Sequence, residues 1–162
     1  MQKIDHLNQG QMLLMLNKLL FFQNFSRHEK VQVLNKGSAF YALSAGETVI
    51  KEGDEGDHAF YIIMTGAAEI FKGEQRLTSL APGDFFGEVS FLSSTARVST
   101  VKTMTTCILF RVDAELLKTF SAEMREKIKD NIISKLLERL DMSSGRISLL
   151  ETKLQKLSQG KN

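Results

Sequence analysis

Between Ala39 and Val112 the chain breaks into seven short apolar or alternating segments: FYALS, ETVIK, AFYIIM, AAEIF, RLTSL, VSTVKT and CILFRV. Gly46, Gly53, Gly56, Gly66, Gly73 and Gly83 punctuate them. Each segment is too short for a helix of several turns and of ordinary length for a strand, and the glycines supply the turns. This pattern constrains the fold more than any other feature. Many short strands joined by turns close into an all-β barrel or sandwich, here an antiparallel β-roll of jelly-roll type. The single proline, Pro82, lies in the turn APGD, and Lys72-Gly73 marks a hairpin tip.

The flanks have a different texture. From Gly10 to about Gly37 apolar residues recur at helical spacing, and Ser26 with Glu29 forms a capping-box pattern ahead of Val31, Val33 and Leu34. From Asp113 onward glycine nearly vanishes and helix formers dominate. The fold class is therefore α+β, mainly β: N-terminal helices over 1–36, the β-roll over 37–113 and C-terminal helices over 114–162. With Ile133 at heptad position a, a seam runs through Leu136, Leu140, Ser143, Ile147, Leu150, Leu154 and Leu157. Two readings are open, a parallel helix pair in a homodimer or one amphipathic helix laid on its own barrel. A helix over 126–158 would be about 50 Å long at 1.5 Å per residue. That is longer than a small barrel is wide, which favours the dimer helix. The closing SQGKN is expected to fray.

Composition narrows the function. A chain of 162 residues supports one core with an appendage rather than two ordinary domains. The net charge of +2 does not by itself imply a nucleic-acid partner, and Arg146, Lys153, Lys156 and Lys161 read as a solvated helix face. The lone Cys107, in an apolar run, reads as a buried free thiol in a reducing compartment, the cytoplasm. MLLMLNKLLFF, Met12 to Phe22, is interrupted by Asn17 and Lys18, too short to span a membrane, and lacks a small-residue cleavage site. His6, His28 and His58 lie far apart with no ligand-like spacing, so neither a metal nor a metal-dependent enzyme is expected. His58, in GDEGDHAF, reads as a solvated turn residue. No Ser-His-Asp or Cys-His arrangement stands out, and no catalytic residue is assigned.

One stretch carries ligand chemistry: GDFFGEVSFLSSTARVSTVKT, residues 83–103. Gly87 permits close backbone approach, and the turn it starts can aim successive N–H groups at an anion. Arg97 adds a charged, forked donor. Glu88 would repel that anion unless the ligand also carries a hydroxyl that donates to it, which a sugar phosphate does. On residues alone the plainer reading stays open: Gly87 a turn residue, Glu88 a solvated charge and Arg97 a strand-edge cation.

FGEVSFLSSTARVSTV resembles the phosphate-binding cassette of cyclic nucleotide-binding domains, the family of catabolite activator protein-like and protein kinase A regulatory subunit-like β-rolls. Upstream, GETVIKEGDEGDHAFYIIMTGAAEIF is similar to that family's strand-turn-strand motif, with Gly46, Gly53, Asp54, Gly56, Asp57, Tyr61 and Gly66 at matching places. The resemblance covers about residues 20–145. It implies that Glu88 accepts the ribose 2′-hydroxyl, that Arg97 pairs with the cyclic phosphate, and that amides of Gly87, Glu88, Val89, Ser90, Val98 and Ser99 complete the cradle. The chain departs from the pattern at Ala96, Ser90 and Val98. Because a Thr in place of Val98 favours guanine in this family, the ligand expected is cAMP, with cGMP second and no cofactor. ERLDMSS, Glu138 to Ser144, resembles the dimer helix of the catabolite activator protein family, which makes Ser143 and Ser144 candidate contacts to the adenine edge. Gly145 beside them loosens the helix by about 1 kcal/mol relative to Ala.

The expected protein is thus a cytoplasmic, bacterial, homodimeric cAMP sensor without an effector domain of its own, acting on an unknown protein partner. Few residues follow Leu157, so no helix-turn-helix for DNA is expected. The alternative is a ligand-independent dimerisation scaffold with an idle pocket.

Overall fold

The computed structural model describes residues 1–4, 8–36 and 39–159, with side chains for all of these except 146 and 153–159. His6, the boundary at Gly37, the last residues of SQGKN and the side chains of Leu154, Leu157, Arg146, Lys153, Lys156 and Lys161 lie outside the described part.

In chain order the elements are β1 (Gln2–Lys3), α1 (Gln9–Lys18), a 3₁₀ turn (Leu20–Phe22), α2 (Arg27–Leu34), β2 (Phe40–Leu43), β3 (Thr48–Ile50), β4 (Phe60–Thr65), β5 (Ala68–Lys72), β6 (Gln75–Leu80), β7 (Phe85–Phe86), α3 (Glu88–Ser93), β8 (Thr100–Thr103), β9 (Cys107–Val112), α4 (Ala114–Lys118) and α5 (Ala122–Gln159). All seven expected segments are strands. The strands β1 and β7 were not foreseen, because two residues carry no periodicity; β1 also shows that the N-terminal region is not purely helical. The capping box forms as read: Ser26 Oγ accepts from the Glu29 amide at 3.2 Å and the Glu29 carboxylate accepts from the Ser26 amide at 2.7 Å.

Two antiparallel sheets make the roll, ordered β1-β2-β9-β4-β7 and β3-β8-β5-β6. Side chains alternate along each strand, so one face of each sheet supplies a shared core that includes Leu43, Ile50, Tyr61, Ile63, Val101 and Leu109. A second cluster is aromatic. Phe21, from the 3₁₀ turn, meets Phe85 edge-on at 5.4 Å, and Phe60 of β4 meets Phe91 of α3 at 5.0 Å. Burying each such ring contributes about 1.5–3 kcal/mol. The Phe60–Phe91 contact holds α3, which opens the segment likened to a cassette, against β4.

The helical tail is interrupted rather than continuous. Asp113 caps α4 by accepting from the Leu116 amide at 2.7 Å, and Ser121 Oγ accepts from the Met124 amide at 3.2 Å at the start of α5. The chain divides into two compact units, Met1–Arg125 and Glu126–Asn162. Along α5, Ile133, Leu140, Ile147 and Leu150 of the seam are each more than half exposed, Ser143 is exposed, and Leu136 is half-buried.

Candidate functional site

The site is built where β7 ends. Gly87 has φ +83°, a left-handed conformation that glycine adopts without a Cβ penalty, and it caps the six-residue α3. The backbone turns there, so Glu88, Val89 and Ser90 form the first turn of α3 while Arg97 returns beneath it.

Arg97 is 3% exposed. Its Nη2 donates to the Ala59 carbonyl at 2.6 Å and its Nη1 to the Gly87 carbonyl at 3.0 Å, with Asp57 at 3.6 Å from Nη2. Its backbone is held as well: the Arg97 amide donates to the Asp54 carbonyl at 2.8 Å, and the Gly53 amide donates to the Arg97 carbonyl at 2.8 Å. The loop GDEGDHA and the cassette are thereby one structure. Glu88 is also 3% exposed. Charges are retained inside a protein only where partners hold them. The reading of Glu88 as a solvated charge and Arg97 as a strand-edge cation is therefore overturned.

The remaining sequence-derived candidates separate clearly. Ser90 is buried, and its Oγ has no hydrogen-bond partner among the described residues. Val89 and Val98 are exposed and Ser99 is half-buried. The Val98 carbonyl accepts from Lys72 Nζ at 2.8 Å, which ties the cassette exit to the end of β5. Ser143 and Ser144 lie on α5 in the second unit, both exposed. His58 is half-buried, with a buried Nδ1 that has no partner among the described residues, so it is not the solvated turn residue expected.

Four further side chains adjoin Arg97 or one another: Asp57 and Tyr61, which stood in the upstream motif without an assigned role, and Arg111 and Asp113, which the sequence did not single out. The Asp57 carboxylate accepts from the Ala59 amide at 3.0 Å, Tyr61 Oη at 2.8 Å and Arg111 Nη2 at 3.0 Å, and Arg111 Nη1 donates to Asp113. The available signal was a lone cation in the apolar strand CILFRV. Burial by itself would raise the Asp57 carboxyl, but hydrogen bonds from Ala59, Tyr61 and Arg111 outweigh it and hold Asp57 below the usual carboxylate range. Burial pulls the Arg97 guanidinium down from its ordinary value against the opposing attraction of Asp57. A carboxylate depressed in the folded state stabilises the fold above its unfolded pKa of about 3.9 and loses that contribution as pH falls through the lower folded value. Urea unfolding compared at pH 5 and pH 3 should show a smaller acid-induced loss for Asp57→Asn than for the parent chain; equal losses would remove Asp57 from the acid response.

A Cβ at Gly87 would lie 2.7 Å from Arg97 Nη1 and 3.1 Å from the Ala59 carbonyl. Gly87→Ala is expected to displace Arg97 and to destabilise the fold by about 2–5 kcal/mol, about 1–3 kcal/mol from overpacking and about 1–2 kcal/mol from the left-handed backbone. Chemical denaturation with an unchanged midpoint would show that the cassette tolerates the methyl group.

The arrangement pairs a buried carboxylate with a buried guanidinium beside the first turn of α3. It offers an anion and a hydroxyl donor complementary partners. Among the described residues no group of three or more His, Cys, Asp or Glu is placed to hold a metal ion, and no helix is long and apolar enough to cross a membrane.

Comparison with known proteins places the chain in a family and attests its fold. The model of the cyclic nucleotide-binding domain matches residues 40–123. The chain is 30% identical over 98 residues to a cAMP-dependent protein kinase regulatory subunit of Eremothecium gossypii, an alignment covering 60% of this chain and 21% of that protein. The chain spans about a fifth of the length of the curated relatives it matches. Among solved structures, a cyclic nucleotide-binding domain from Methylobacillus flagellatus has a TM-score of 0.68 at 22% identity, covering 86% of this chain and 82% of that one. The catabolite activator protein of Thermus thermophilus has a TM-score of 0.67 at 23% identity, covering 81% and 62%. At such identities the structures attest the fold, a β-roll with flanking helices. Matched over just over half its length by the family model, with both cassette residues inside the match, this chain belongs to the cyclic nucleotide-binding domain family.

Proposed function

We propose that the protein is a cAMP-responsive regulatory module of the cytoplasm that signals to a protein partner through its C-terminal helix. One observation carries the reading: Glu88 and Arg97, nine residues apart, are both almost fully buried around the turn that Gly87 begins. The ribose hydroxyl would donate to Glu88 and the cyclic phosphate would accept from Arg97. Val98 exposes a side chain without a hydroxyl, which favours cAMP over cGMP. The exposed apolar residues of α5 support a homodimer formed through a helix pair, and Ser143 and Ser144 would reach the adenine edge there. Ligand acts by differential affinity for two arrangements of those helices.

A second reading is a dimerisation scaffold whose pocket is idle. It is favoured by the engagement of both terminal nitrogens of Arg97 with backbone carbonyls, each through one of its two N–H donors. A thermal-shift screen with cAMP, cGMP and cyclic dinucleotides separates the two. Ligand at about 100 times its Kd stabilises the native state by about 2.7 kcal/mol, a plain rise in melting temperature. The absence of any shift at millimolar nucleotide would leave the scaffold. In sedimentation, a monomer at tens of micromolar would refute the helix pair. Replacing Ser143 or Ser144 with Ala is expected to cost about 0.5–1.5 kcal/mol of cAMP affinity, the worth of one neutral hydrogen bond. An equal loss for cGMP would exclude contact with the adenine edge.

A further inference from the structure

The strand alternation that fills the core also builds a face turned away from it. On β8, Val101 and Thr103 are buried, so Thr100 and Lys102 point to the other side of the sheet β3-β8-β5-β6. The register sets Lys102 between Thr48 of β3 and Glu69 of β5, and sets Thr100 opposite Phe71 of β5. A cavity of about 510 Å³ lies there, lined among others by Thr48, Lys51, Phe71, Glu74, Thr100 and Lys102. Its volume falls within the range of about 300–1,000 Å³ common for small-molecule sites. None of these residues belongs to the turn and helix that carry Gly87, Glu88 and Ser90.

The cavity offers donors and little to neutralise them. Lys51 and Lys102 form no ion pair among the described residues, because neighbouring carboxylates are engaged elsewhere. Glu52 accepts from Lys72 Nζ at 2.6 Å and from the Gly73 amide at 2.8 Å, and Glu69 takes Arg76 Nε at 2.5 Å. Lys102 Nζ stands 5.7 Å from the centre of the Phe71 ring, a cation–π distance that orients the ammonium without cancelling its charge. Thr100 Oγ accepts from the Glu52 amide at 3.0 Å, so its own proton remains to be donated. The Thr48 hydroxyl makes no hydrogen bond among the described residues. Glu74 is the one carboxylate in the lining, and it too has no partner among the described residues.

We infer that this cavity is a second ligand site, for a phosphate monoester of a small polyol, as a sugar phosphate is. The ammoniums of Lys51 and Lys102 and the hydroxyls of Thr48 and Thr100 hold the phosphate. Glu74 repels a bare phosphate but accepts a hydroxyl from the rest of the molecule, and Phe71 supplies an apolar floor for its carbon skeleton. The site uses no residue of the cyclic nucleotide reading and stands or falls without it.

The test follows amide chemical shifts of the full chain during titration with glucose 6-phosphate, inorganic phosphate and glucose. Constant ionic strength removes general screening. Glucose 6-phosphate is expected to give saturable shifts at Thr48, Gly73, Thr100 and Lys102, and glucose none. Its Kd should lie at least about threefold below that of phosphate, the worth of one added hydrogen bond. Lys51→Gln and Lys102→Gln should each raise that Kd about threefold, as loss of an exposed charge contact does. Glu74→Gln should tighten inorganic phosphate and narrow the preference for the ester. Shifts at Gly87, Glu88 and Ser90 in place of the sheet, binding that neither lysine variant weakens, or no saturable shift at millimolar ligand overturns the inference. Equal affinity for the two anions, or tighter binding of a phosphoserine peptide, overturns the polyol ester as the occupant.

Discussion

Replacing Arg97 with alanine is expected to weaken cAMP binding at least about tenfold, since a charge-assisted hydrogen bond contributes about 1.5–3 kcal/mol and 1.4 kcal/mol is a factor of ten. The guanidinium is almost fully buried and donates to the Gly87 carbonyl at the start of α3. Alanine also strips a donor from the Ala59 carbonyl and a charge from beside Asp57. Leaving buried acceptors unpaired costs about 1–3 kcal/mol, so the variant will melt at a lower temperature. Stability and affinity are separated by titrating calorimetrically at a temperature where a melt shows the variant folded. Arg97→Lys, which keeps the charge and loses the fork, should fall between the two. An affinity for cAMP equal to that of the parent chain would take Arg97 out of the ligand site.

Gly66→Ala is expected to have the largest effect on stability. Gly66 has φ +86° in the connection from β4 to β5, and an added Cβ would sit 2.3 Å from the Thr106 carbonyl oxygen and 2.6 Å from Cys107 Sγ. The first of these is backbone and cannot rotate away, and Cys107 is itself buried with its thiol against the Ala67 carbonyl at 3.2 Å. A left-handed conformation costs an L-residue about 1–2 kcal/mol and overpacking adds about 1–3 kcal/mol. For a chain of this size the melting temperature should fall on the order of 10 °C. Gly46→Ala is the comparison: Gly46 has φ +82° and nothing within 4 Å of the added Cβ. It therefore bears only the conformational cost. Equal falls in melting temperature for the two variants would show that the close approach to Thr106 is not what requires glycine.

Much of the architecture was legible in local pattern. Short apolar or alternating segments punctuated by glycine gave all seven main strands, and the Ser26–Glu29 spacing gave a helix start, because each depends on residues close together in the chain. The same range of pattern could not reveal β1 or β7, each two residues long, or the break between α4 and α5 at Thr119–Ser121, where Ser121 begins a new cap. At the site, Gly87, Glu88 and Arg97 stand close enough in sequence to be read together. His58 was misread because polarity and a glycine-rich neighbourhood suggest solvent, whereas the fold covers its Nδ1.

The amino-acid sequence by itself determined where the seven longer strands lie and which carboxylate and guanidinium stand together after β7, since both are short-range patterns of side-chain type. Only the tertiary structure decided what those charges touch. Arg97 bonds a carbonyl 38 residues away at Ala59, and Asp57 is held by an arginine 54 residues away. A backbone carbonyl has the same chemistry whichever residue bears it, so no side-chain pattern announces it as an acceptor. The strand register that sets Tyr61 opposite Arg111 exists only once β4 and β9 have paired. Burial then makes those partners matter, because it is the removal of water that turns an ordinary arginine into a fixed, directional donor.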